Sequence, residues 1–317
     1  MQSHFTPVKK AIASCAILFS STLSAQYFWD AGFSTGAANY LGDMGGNVLS
    51  RRDFISDLKL SETHMTMVGF VRYKLNPWFS IKSNLTWARI SGDDKLSSNP
   101  GRNGRNLSFR NDVVELAAQV QFTFYQINNL GRSYRHQDQF KAYLGLGLGA
   151  AYHNPKTYYQ GVYIPLRGLQ TENVSYSKVA AVIPASGGFY FTFDKNYRIG
   201  FDLSWRTTFT DYLDDVSTTY ANEASLPSPL AIELANRTDE LAFVDAAFAE
   251  NFTAGNKRGD PSHNDSYLTA SIEFSYVIKG HSVAGKPIYP WIHKRPSKYD
   301  GTGQKQRYKV RKIRPKW

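Results

Sequence analysis

The sequence predicts an all-β protein: an eight-stranded antiparallel up-and-down transmembrane β-barrel with long extracellular loops and a basic periplasmic C-terminal tail. Three observations lead there. Segments past residue 26 alternate apolar and polar residues with period two, so each strand presents two faces to two media. Long and short connections alternate along the chain, as in outer-membrane barrels, whose loops lie outside and whose turns face the periplasm. Beyond the N-terminus no apolar run approaches the roughly 20 residues that a membrane helix requires. Aromatic residues make up 15% of the chain, a level that suits interfacial girdles.

Residues 1–25 read as a secretory signal peptide. Lys9 and Lys10 form a positive n-region, Ala11 to Leu23 an apolar h-region, and Ser24-Ala25-Gln26 a small-residue cleavage site. The single cysteine, Cys15, lies inside this segment, so the mature chain carries neither a disulfide framework nor thiol chemistry.

Residues 26–278 are the barrel. Four strands are strongly patterned. The third sets Phe79, Ile81, Leu85 and Trp87 against Ser80, Lys82, Asn84 and Thr86. The fourth sets Val114, Leu116, Ala118, Val120, Phe122 and Phe124 against Glu115, Gln119, Gln121 and Thr123. The seventh sets Ile199, Phe201, Leu203, Trp205 and Phe209 against Arg198, Asp202, Ser204, Arg206 and Thr208. The eighth sets Leu268, Ala270, Ile272, Phe274, Tyr276 and Ile278 against Thr269, Ser271, Glu273 and Ser275. Weaker candidates at about 27–41, 63–75, 140–153 and 179–193 complete an even set, as single-chain bacterial barrels require. Asn76-Pro77 and Asp194-Lys195-Asn196 are tight turns, while about 42–62, 91–111, 154–178 and 211–264 are long loops. In the last of these, Ser228-Pro229 opens a short helix carrying Leu230, Ile232, Leu234 and Ala235.

An eight-stranded barrel is filled by its own side chains. The inward charges Arg72, Lys74, Lys82, Glu115, Asp202, Arg206 and Glu273 have both signs and are expected to pair in one network. A catalytic use of Glu115 or Glu273 is the minor alternative. The seven histidines show no metal-ligand spacing, so neither a metal nor a cofactor is expected. Asp211, Asp214 and Asp215 offer oxygen ligands of the kind Ca²⁺ takes, but the plainer reading is a solvated acidic loop start.

Residues 279–317 hold twelve Lys or Arg against one acid, Asp300, and so account for the whole net charge of +11. A secreted chain does not normally meet nucleic acid. The tail interleaves bases (Lys294, Arg295, Arg307, Arg311, Lys312, Arg314) with aromatics (Trp291, Tyr299, Tyr308, Trp317). This pattern favours a protein partner, with aromatic anchors, over simple adsorption to anionic lipid.

Five stretches carry a family resemblance: Ala38-Asn39-Tyr40-Leu41-Gly42-Asp43, Asn106-Leu107-Ser108-Phe109-Arg110-Asn111, Pro165 to Glu172, Thr208 to Ser217, and Arg258-Gly259-Asp260-Pro261. Together they resemble the PorG-like outer-membrane barrel of the type IX secretion and gliding-motility apparatus of Bacteroidota. The resemblance implies a non-enzymatic component embedded in outer-membrane lipid. It would sit above a periplasmic ring built from a lipoprotein and its partner, near the translocon. No catalytic residue carries over. The alternatives are a lipid-A-modifying barrel enzyme, for which His153 is the candidate residue, and a passive structural barrel.

Overall fold

The computed structural model describes residues 29–44, 59–129, 137–194, 196–241 and 246–278. Residues 1–25, read above as a signal peptide, and the basic segment 279–317 lie outside them. The strands are β1 (Trp29–Leu41), β2 (His64–Lys74), β3 (Phe79–Asp93), β4 (Ser108–Asn129), β5 (Gln137–Tyr152), β6 (Lys156–Tyr159), β7 (Val162–Pro165), β8 (Val179–Phe193), β9 (Tyr197–Thr208) and β10 (Ser266–Ile278). All but β6 and β7 form a closed barrel in which each strand pairs antiparallel with its neighbours in sequence. The seam closes between β1 and β10, from Trp29↔Ile278 to Leu41↔Ser266. Closure leaves no edge strand, which is the condition for a sheet to stand in hydrocarbon.

Every predicted barrel strand is present. The hairpin β6–β7 was not expected. It stands in the third long loop and touches the barrel through Arg110↔Lys156. Its tip, Gln160-Gly161, has both residues at positive φ (46° and 89°), the backbone that a tight hairpin turn requires.

The two ends of the barrel differ. At the turn end, Asn76 Oδ1 accepts from Trp78 N and Phe79 N at 2.9 and 2.8 Å, so the side chain itself builds the β2–β3 turn. Because Trp29 pairs with both Tyr73 and Ile278, the chain also enters and leaves the barrel here. Aromatic pairs ring this end: Trp29–Tyr73 at 4.6 Å, Phe79–Phe122 at 5.4 Å, Phe140–Phe191 at 4.7 Å and Tyr197–Tyr276 at 5.4 Å. The opposite end carries the long loops, with short helices α1 (Pro100–Arg105), α2 (Pro229–Ala235) and α3 (Ala246–Ala249). Pro229 begins α2 as expected, and Ser228 Oγ caps it by accepting from Ala231 N at 3.1 Å.

The strand faces follow the predicted parity. Leu116, Leu146 and Leu148 on the outer face are 65%, 62% and 70% exposed, while Glu115, next to Leu116 in the chain, is fully buried. The glycines of β5 turn inward because the lumen has no room for more. A Cβ on Gly147 would stand 2.3 Å from Ala118 O and 2.7 Å from Gln119 Cγ. Pro184 within β8 lacks an N–H, and the β5–β8 ladder is interrupted there, between Leu146↔Ala185 and Gly149↔Val182.

An apolar outer face around a polar interior is the inverse of a soluble fold, and it defines a membrane-spanning barrel. Placing charge on that face tests the reading. Leu146→Arg, at mid-strand, is expected to destabilise the barrel by about 2–4 kcal/mol in reversible denaturant unfolding from lipid vesicles. Leu60→Arg, outside the strands, should change stability by no more than about 0.5 kcal/mol. Equal effects at the two positions would place the belt elsewhere.

Candidate functional site

Six of the seven inward charges named above pair inside the barrel, in two groups. Arg72 donates from Nη2 to Glu273 at 2.8 Å and from Nη1 to Asp30 at 3.3 Å. Lys82 pairs with the same Glu273 and lies 3.4 Å from Asp202 Oδ2, which also accepts from the Tyr143 hydroxyl at 2.7 Å. Arg198 closes the far end of the chain on Asp30. Tyr190 lies between the two guanidinium groups, its ring centre 4.8 Å from Arg72 and 4.7 Å from Arg198. Nearer the loop end, Arg206 Nε donates to Glu115 at 2.9 Å, and the Tyr267 hydroxyl to the same oxygen at 2.5 Å.

Asp30 and Arg198 were not named in the expected network, although both alternate with outward residues of their strands. Four carboxylates (Asp30, Glu115, Asp202, Glu273) thus face four cations (Arg72, Lys82, Arg198, Arg206) across the lumen. Lys74, expected to point inward with them, is only half-buried. Each charge is desolvated, so its worth depends on its partner being present. Glu115 and Glu273 are both locked onto cations and buried, which suits a structural clamp.

At the loop end the five family-like runs come together over the barrel mouth. Tyr40, near the end of β1, places its hydroxyl 2.7 Å from Asp214 Oδ2 and 2.6 Å from Asp265 Oδ1. One hydroxyl hydrogen serves two carboxylates, so a proton on the acid pair completes the geometry. Burial and then Asp43 push Asp214 up to about 8, while burial and Asp214 hold Asp265 well above the usual carboxylate range. The backbone completes the knot: Val216 N donates to Asp214 and Leu213 N to Asp265, both at 2.9 Å.

The other runs lock onto this knot. Asn111 donates to Leu213 O at 2.8 Å. Asp215 accepts from the Thr171 and Tyr176 hydroxyls at 2.5 and 2.6 Å. Glu172 accepts from Ser217 N at 3.0 Å, Thr218 N at 2.9 Å and Arg258 Nη1 at 2.8 Å. Burial pushes Glu172 upward, but Arg258 and the two backbone N–H groups outweigh it and hold the acid below its ordinary range. Arg258 also donates to the Asp215 carbonyl at 2.7 Å. Arg105, at the end of α1, forks onto Asp94 at 2.7 and 2.9 Å and reaches Asp43 O at 3.0 Å. Beneath these bonds lies an apolar cluster that includes Tyr40, Ile90, Phe109, Val113, Leu213, Val216 and Tyr267.

Two expectations are corrected here. Asp211, Asp214 and Asp215 are not a solvated loop start, since all three are buried. Asp214 and Asp215 bond different partners, and among the described residues no group of three or more His, Cys, Asp or Glu is arranged for a metal ion. His153 does not stand open at the rim. It is fully buried and parallel to Tyr176 at 6.1 Å, and burial and then Arg167 lower its pKa to about 4, leaving the ring neutral. Nothing in the sequence marked these four residues as internal. The ten tail residues proposed to bind a partner (Trp291, Lys294, Arg295, Tyr299, Arg307, Tyr308, Arg311, Lys312, Arg314, Trp317) lie outside the described residues.

Both clusters can be tested. Arg206→Ala strands Glu115 in the lumen and is expected to cost about 3–5 kcal/mol, whereas Arg206→Met combined with Glu115→Leu should be close to neutral. For the cap the sign follows from linkage. With an unfolded value near 3.9 and a folded value of about 8, native Asp214 binds the extra proton between those pH values, so cap stability falls as pH rises through that window. Limited proteolysis between residues 210 and 265 should therefore be faster at pH 8.5 than at pH 5. Asp214→Asn should flatten the difference. A pH-independent cleavage rate in the wild type would contradict the shared proton.

Solved structures with a similar trace include Neisserial surface protein A, with 9% identity, a TM-score of 0.36, and coverage of 79% of this chain and 97% of that one. Ail, the attachment invasion locus protein of Yersinia pestis, is 11% identical at a TM-score of 0.33, covering 78% of this chain and 98% of Ail. OprG from Pseudomonas aeruginosa is 8% identical at 0.33, covering 80% and 97%. The fold assignment rests on the strand pairing itself. A search among curated proteins finds no significant match. A family model, described as a domain of unknown function (DUF6089), matches residues 9–259. That span takes in most of the barrel together with all of the first four family-like runs and the start of the fifth, so the chain belongs to the DUF6089 family.

Proposed function

We propose that this chain is an outer-membrane component of a type IX protein secretion and gliding machine. In this reading the barrel is an anchor without chemistry of its own, and residues 279–317 tether a periplasmic ring to it. The support is one observation: the five runs that resemble the PorG-like family, distant in sequence, converge on a single buried cap. A motif set that builds one three-dimensional element is a stronger likeness than scattered matches. Closure of β1 on β10 also sends the chain out at the turn end, the periplasmic side if the long loops face outward. The tail's 39 residues extend to on the order of 100 Å at about 3.3 Å each, enough to span to a ring beneath the membrane. Its bases would draw in an acidic surface, and Trp291 would supply lasting affinity.

Truncation at Gly280 should leave the barrel folded and heat-modifiable on gels, while abolishing co-purification with a periplasmic partner in mild detergent. Charge reversal at Arg311, Lys312 and Arg314 should weaken that contact in a salt-dependent way. A truncated barrel that keeps its partner and supports secretion would remove the tether.

One observation favours the enzymatic alternative. Ser91 Oγ lies 2.6 Å from His64 Nε2 at the loop-end rim, with Glu62 against the same hydroxyl. This brings a hydroxyl, a base and an acid together, but the acid holds the hydroxyl instead of orienting the imidazole, so the reading ranks second. Ser91→Ala would have to change the mass spectrum of lipid A for this reading to displace the first.

A further inference from the structure

The loop end carries an open cavity of about 610 Å³ beside the cap, within the size range of small-ligand sites. Its wall includes Arg102, Tyr220, Phe248, Asn251, Phe252 and Asn256. Phe248 and Phe252 meet edge-to-face at 5.3 Å, and Tyr220 stands edge-on to Phe252 at 6.2 Å. The wall is tightly held, because α1 packs on these rings through Gly104, where a Cβ would come within 2.5 Å of Phe248.

Two donors on this wall find no partner among the described residues. Arg102 Nη1 and the Tyr220 hydroxyl are both buried without a hydrogen-bond partner among the described residues, and Tyr220 as a whole is only 4% exposed. The other cations of the wall are engaged: Arg105 by Asp94, Arg258 by Glu172, and Lys257 by Asp260 at 3.5 Å. Arg102 thus has no ion-pair partner among the described residues, although Asp43 and Asp260 also line the wall, and a guanidinium can only donate. Buried donors left without an acceptor are unfavourable. An occupant that satisfies both must present acceptor oxygens and negative charge, and the ring faces and Asn amides beside them suit a polyol.

We propose that this cavity binds a saccharide bearing an oxyanion, a carboxylate or a phosphate, with Arg102 and Tyr220 donating to the anion and Phe248 and Phe252 flanking the sugar. The site is independent of the periplasmic tether and stands or falls apart from it.

The test is calorimetric titration of the full detergent-solubilised chain with galacturonate, glucose 6-phosphate and glucose. Saturable binding of at least one of the two anionic sugars is expected, with glucose at least tenfold weaker. Arg102→Gln and Tyr220→Phe should each weaken the anionic sugar about tenfold or more. Arg102→Lys should recover part of the loss by restoring the charge, and heat-modifiable migration must be unchanged in all three variants. If a variant fails to fold, competition of glucose against the anionic sugar on the wild type decides the matter. The proposal is overturned if neither anion binds, if glucose binds as tightly as both, or if folded Arg102→Gln binds like the wild type.

Discussion

In hydrocarbon an unpaired backbone N–H or C=O has no water to bond, so a sheet can stand there only if its last strand returns to its first. The ladder from Trp29↔Ile278 to Leu41↔Ser266 meets that demand, and the remaining structure answers to it. Antiparallel closure with an even number of strands brings both ends of the barrel chain to one side. It also fixes which residues look inward, because a slip of one residue would expose every lumen charge to lipid. The lumen network is therefore as much a register device as a source of stability. Arg72 and Glu273 sit on β2 and β10, the two strands that flank β1, and their ion pair forms only if both pairings of β1 are in place.

The conventional apolar core lies at the loop end instead of mid-barrel. Tyr40 and Phe109 meet at 4.8 Å there, over Ile90, Val113 and Leu213. Mid-barrel, lipid takes the apolar side chains, and the interior is left to groups that must satisfy one another. At the mouth the lipid ends, and the loops can bury apolar surface in the ordinary way. The acids of the cap add directed bonds to that surface. Asp214 ties the fourth loop to the end of β1, while Asp215 and Glu172 tie the third loop to the fourth.

How much of this was legible follows from the media involved. Strands facing lipid on one side and a polar lumen on the other must alternate, so their positions and faces could be read from Phe79 to Trp87 or from Val114 to Phe124 without any contact information. The lumen charges were legible for the same reason. The loops follow no such rule. Lys156 to Pro165 alternates weakly and turns on Gln160-Gly161, a pair without the Asn-Gly or Asp-Gly signal of a hairpin. The burial of Asp214 depends on Tyr40, Asp43 and Asp265, which are brought to it only by the closed barrel. An acid in a long loop is by default solvated. The five family-like runs lie in the cap, but nothing in the sequence showed their arrangement there.

The seam has a consequence for how the chain acquires its structure. β1 and β10 are separated by nearly the whole barrel sequence, so the pairing that seals the sheet carries the largest loop-closure entropy in the molecule and must come late. Tyr40 belongs to one lip of that seam and Asp265 adjoins the other. Their contact cannot precede closure, and the loops that gather on it stay unassembled until then. The order of events is thus written into the topology: strands first, seam next, cap last. A chain without the β1–β10 pairing would present two open sheet edges together with unlatched loops.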